Sequence, residues 1–126
     1  MKGILILITI VLFSQLSIAQ RLELFSSYSQ YYIVEYGETT TIKNKAKWYY
    51  LKNKQGNVES MRFVDIGTMK TFDYKLVDIE EKEDKYIMRF ENDMVLVVAE
   101  SYIGLTHRER SQELTFLFRI RDKINK

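Results

Sequence analysis

Three groups of side chains in this sequence have types and spacings that could do chemistry. The first is His107, the single histidine. Any Ser-His-Asp relay would have to pass through it. It lies between Thr106 and Arg108 in an extended stretch, with no glycine pattern of a nucleophile elbow nearby. It reads as a polar strand residue. The second group is Glu80, Glu81, Glu83 and Asp84, clustered at an expected reversal of the chain. Carboxylates that work as an acid and base pair sit in a cleft that drives their pKa values apart. At a hairpin tip, water keeps them ionised and alike.

The third group is the stretch KNKAKWYYLKNK at residues 43–54. Lysines flank three consecutive aromatics, the ingredients of a surface that stacks rings and holds anions. As one strand it would place Lys43, Lys45, Lys47, Tyr49 and Leu51 on one face and Trp48, Tyr50, Lys52 and Lys54 on the other. Trp48, Tyr49, Tyr50, Lys47 and Lys52 are therefore the candidate ligand-binding residues. A structural reading competes: Trp48 or Tyr50 in the core, with lysines guarding an edge strand.

No other chemistry stands out. The five glycines are isolated, so no phosphate-binding loop is present. Cysteine is absent, which removes disulfides and thiolate metal sites. With one histidine and no calcium-type loop, the sequence predicts no metal centre, no cofactor and no catalytic set.

The elements that must position these residues show a period of two. In residues 113–121, Leu114, Phe116, Phe118 and Ile120 alternate with Glu113, Thr115, Arg119 and Arg121, with Leu117 as the exception. Tyr86, Met88 and Phe90 behave alike, and residues 94–99 are apolar on both faces, as in a strand covered on each side. Turns are expected at 53–57 around Gly56, at 81–85, at Asn92 and Asp93, and at 108–112. Residues 21–30 suit a strand or short helix, and residues 37–47 a polar strand or loop. Every connection is too short for a parallel crossover. The expectation is an all-β fold, one antiparallel meander of seven or eight strands closing as a small barrel or sandwich.

Residues 1–19 carry the order of a secretory signal. Lys2 is followed by an apolar run at 4–13, then by Ser17, Ile18 and Ala19 with small residues at the cleavage positions. About ten helical residues reach roughly 15 Å, half of what a spanning helix must cross. The sequence predicts a signal helix cleaved after Ala19, with an uncleaved signal anchor as the alternative, a β-domain at 20–126, and a periplasmic or secreted product. Basic residues number 19 and acidic 17, and Lys2 leaves with the leader, so the balance predicts no strong attraction to nucleic acid or anionic membrane. No second apolar run approaches spanning length, so no stable membrane insertion is expected after cleavage.

The closing hairpin, residues 102–121, resembles the final strand pair of short exported bacterial lipocalin-like, calycin-type proteins, as does the order of signal, meandering hairpins and apolar-alternating last strand. That resemblance implies an antiparallel barrel with a small hydrophobic ligand inside. The functional expectation is a non-enzymatic protein that binds a small apolar ligand or a protein partner. The alternative is a module for glycan or polyanion that uses the aromatic and lysine strand.

Overall fold

The computed structural model describes residues 21–108 and 114–125, so the expected leader helix and most of the 108–112 turn lie outside the described residues. Eleven strands follow one another: β1 (Arg21–Tyr28), β2 (Tyr31–Glu35), β3 (Glu38–Ile42), β4 (Ala46–Lys52), β5 (Val58–Asp65), β6 (Lys70–Glu81), β7 (Lys85–Phe90), β8 (Met94–Ala99), β9 (Tyr102–His107), β10 (Leu114–Arg119) and β11 (Lys123–Ile124). They form one sheet in the order β11-β1-β4-β5-β6-β7-β8-β9-β10-β2-β3. Every pairing is antiparallel. From β4 to β10 the sheet is a pure meander, and it curls into a half-barrel.

The strand count corrects the expected seven or eight. Residues 21–30 supply a strand rather than a helix, and Glu38–Ile42 pairs with β2 despite its polar sequence. The remaining excess comes from two bends. Ser29 and Gln30 separate β1 from β2, and a 3-10 turn at Ile120–Asp122 separates β10 from β11. The same turn takes Ile120 out of the alternation of residues 113–121 and leaves it half exposed. The two bends are tied together. Ser29 N–H donates to the Asp122 carbonyl at 2.8 Å, and the Tyr32 hydroxyl donates to Asp122 Oδ2 at 2.9 Å while accepting from Arg121. The Arg119 guanidinium sits 4.8 Å from the Tyr32 ring centroid. This clamp sends β1 and β2 to opposite ends of the sheet order, so the chain itself bridges the curl.

The hairpins follow the local chemistry. Gly56 takes a φ of +84° in the 53–57 turn, where the Asn53 side chain accepts from the backbone N–H of Gln55 and Asn57. Asn92 and Asp93 both occupy the left-handed region, at φ of 69° and 59°. A Cβ at Gly67 would collide with the Asn44 side chain, so close approach there requires glycine.

The concave face holds the core. Trp48, Met61, Phe63, Leu96, Leu105 and Phe118 are almost fully buried. Trp48 stacks on Phe63 at 5.1 Å between centroids, and Phe118 meets both rings edge-on at 5.7 and 5.3 Å. Tyr31 adds a stack on Phe118 at 5.3 Å. Aromatic contacts of this geometry add about 0.5–1.5 kcal/mol each beyond the area they bury. Strand β8 departs from expectation: only Leu96 is buried, and Val95 and Val97 on the convex side are half-exposed because no second layer covers that face.

Candidate functional site

Packing is uneven along the barrel. At the end bounded by the 66–69 and 91–93 turns, rings fill the interior. At the opposite end, bounded by the 53–57, 82–84 and 100–101 turns, an apolar cavity of about 370 Å³ opens between the strands. Phe25, Tyr50, Val58, Ile79, Met88 and Val98 wall it, with Tyr86 at its rim. Phe25 and Tyr50 pack at 4.8 Å between centroids, while Ile79 and Tyr86 are about half exposed.

Three irregularities in strand register build this cavity. The register shifts between Leu24 and Ser26 on β1, so Phe25 turns inward beside Tyr50. On β5 the partner of Leu51 is Ser60 but that of Lys52 is Val58, so Glu59 is bypassed and Val58 faces in. On β6, Val77 is the extra residue between Leu76 and Asp78, which brings Ile79 opposite Met88 on the concave face. A bulge of one residue exchanges the faces of everything beyond it. Without the shifts on β5 and β6, Glu59 and Asp78 would point inward in place of Val58 and Ile79.

The candidate residues read from the sequence are distributed rather than gathered. Trp48 is fully buried in the core and offers no ring to solvent. Its indole N–H is buried and has no hydrogen-bond partner among the described residues. Tyr50 belongs to the cavity wall, and burial, then the neighbouring Tyr86, pushes its phenol up from the ordinary value. Lys52 stands at the mouth, its ammonium 2.8 Å from Glu23 and 6.0 Å from the Tyr50 ring centroid. Lys47 and Tyr49 alternate to the convex face, both half-buried. Leu51 shares that face with its partner Leu22 and is buried. The five candidates therefore do not form one stacking surface.

The carboxylate group lies beside the mouth. Glu80 faces outward, where Arg89 bonds it at 2.8 Å and, with Lys82, holds its carboxyl below the usual range. Glu81, Glu83, Asp84 and Glu100 line an open cleft of about 360 Å³ with Lys82 and Lys85. The cleft shares Tyr86 and Val98 with the cavity. His107 is half-buried on β9, opposite Met94.

A second polar constellation sits at the filled end. Asp65, 4% exposed, accepts from the Tyr31 hydroxyl at 2.7 Å, the Thr68 backbone N–H at 3.0 Å and Asn44 at 3.2 Å. Burial alone would raise its pKa, but these hydrogen bonds outweigh burial and hold it below the ordinary carboxylate value. Burial and the bond to Asp65 push Tyr31 strongly upward. Both carboxylate oxygens accept from donors within the chain, so this group locks a corner. Among the described residues, no three His, Asp or Glu side chains are gathered as metal ligands would be.

No protein-family model matches the chain, and no curated protein or solved structure matches it. What fold and site define together is a class: an antiparallel half-barrel with a packed floor and an apolar mouth.

Proposed function

We propose that this is an exported, non-enzymatic binding protein that takes a small apolar molecule into the mouth of its half-barrel. The observation that carries this reading is the apolar cavity of about 370 Å³, placed where the core stops. Its size falls in the lower range of small-molecule sites. Burying a ligand there would cover Ile79 and Tyr86, large apolar side chains that now meet water. The alternative use of Trp48, Tyr49 and Tyr50 as a common stack for glycan or polyanion gains no support from their placement.

The test is saturable binding of N-phenyl-1-naphthylamine, with native mass spectrometry of the purified protein to detect a retained ligand. The dye should bind one per chain with enhanced emission. Ile79→Glu should weaken it about tenfold, while stability moves by only about 0.5 kcal/mol because the site is exposed. A folded wild-type protein that shows no saturable dye binding would overturn the reading.

A further inference from the structure

Two cross-strand pairs stand at the mouth with the same composition. Glu23 lies opposite Tyr50 across β1 and β4, and Glu81 lies opposite Tyr86 across β6 and β7. Directly opposed residues share a face, so each tyrosine ring of the cavity has a carboxylate beside it. The first pair is complete. Lys52, two residues beyond Tyr50 and on its face, places its ammonium 2.8 Å from the Glu23 carboxylate and 6.0 Å from the ring centroid. The second pair lacks its cation. Two residues before Tyr86 stands Asp84, not lysine; Lys85 alternates to the other face; and the Lys82 ammonium lies 3.8 Å from Glu80. Glu81 has no ion-pair partner among the described residues. The cleft continuing from Tyr86 holds four carboxylates against two ammonium groups.

We infer that the molecule taken by this cavity carries an ammonium-type cation on its apolar body, with the cation seated at Tyr86 and Glu81. This rests on the cavity reading above and names the ligand class. The apolar body lies against Phe25, Met88 and Val98. The head emerges where the Tyr86 face and the Glu81 carboxylate can do for it what Tyr50 and Glu23 do for Lys52. An aromatic face attracts a cation through its quadrupole, and the attraction grows as water is excluded. An anionic head at the same place would meet the surplus of carboxylates, and a neutral head would gain nothing from them.

The experiment compares three probes of one chain length, octyltrimethylammonium, octanol and octyl sulfate, each below its micelle concentration, as competitors of the bound naphthylamine dye. The cation should bind about tenfold tighter than octanol, with the sulfate weakest. Glu81→Gln should cut the preference for the cation about threefold or more and leave octanol unchanged. Glu38→Gln, on the edge strand away from the mouth, should alter neither. If octanol binds as well as the cation, or if the preference survives Glu81→Gln undiminished, the charge assignment is overturned while the apolar cavity stands. If none of the three displaces the dye, the cavity reading itself falls.

Discussion

The two ends of the half-barrel are built from similar residues to opposite effect. At the filled end, Trp48, Phe63, Phe118 and Tyr31 interlock on alternating positions of regular strands, and Asp65 gathers three donors at the corner. At the mouth, Phe25, Tyr50 and Tyr86 are equally aromatic, yet leave space between them. The difference is register. Regular pairing lets rings from facing strands meet, whereas the bulged positions on β1, β5 and β6 turn apolar side chains inward with too little volume to fill the gap. The packed aromatic core is concentrated at one end, and the other end stays open.

That division predicts unequal costs of substitution. Phe118→Ala at the floor should destabilise by about 3–5 kcal/mol, because it removes a ring enclosed by Tyr31, Trp48 and Phe63 and leaves a cavity. Equilibrium denaturation would measure it. A loss no larger than that of the exposed Ile79 substitutions would mean that the floor is not the stabilising half.

The corner lock comes next. Asp65→Ala strands the Tyr31 hydroxyl and the Thr68 N–H and should cost about 2–3 kcal/mol. Its pH signature separates it from packing. Because the folded pKa of Asp65 lies below the unfolded value, its contribution is fully present above about pH 4 and lost as pH falls through the folded value. Tyr31 and Tyr74 act in the other sense. Their phenols are raised, Tyr74 to about 12 by burial, so their contribution is full below about pH 10 and lost as pH rises further. Denaturation midpoints from pH 2 to 6 should show a slope that Asp65→Asn flattens. An unchanged slope would assign acid sensitivity elsewhere.

Much of the filled end is legible in the sequence, and little of the mouth. Alternation at 86–90 and 114–118 identifies Met88, Phe90 and Phe118 as core, and Gly56 and the Asn92-Asp93 pair announce their turns. Periodicity works there because nothing interrupts it. The mouth depends on three shifts that no residue type signals, so the sequence assigns no face to Val58 or Ile79 and leaves Phe25 in a stretch that suits a strand or a short helix. Tyr50 and Lys52 are found by composition, but Glu23 reaches them only through strand pairing and Tyr86 only through the curl of the sheet around the cavity. The bends at Ser29 and at Ile120–Asp122 escape notice for a related reason: their hydrogen bonds close between residues about ninety positions apart.

The smallest effect bears on the comparison within the mouth itself. Glu23 is exposed and Lys52 half-buried at the rim, so breaking their pair should change thermal stability by less than about 1 kcal/mol. Binding should respond instead. Lys52→Met keeps an unbranched apolar stem over Tyr50 while removing the ammonium, which frees the Glu23 carboxylate and the Tyr50 face together. The first pair then has the composition of the second, and octyltrimethylammonium should bind about two- to threefold tighter or with a second equivalent, while octanol gains only what the longer apolar wall provides. Isothermal titration at low salt would resolve the two, and added salt should erase the cation's gain and not the alcohol's. Should Lys52→Met weaken the cation instead, the lysine supports the cavity wall and the likeness of the two pairs is only one of sequence.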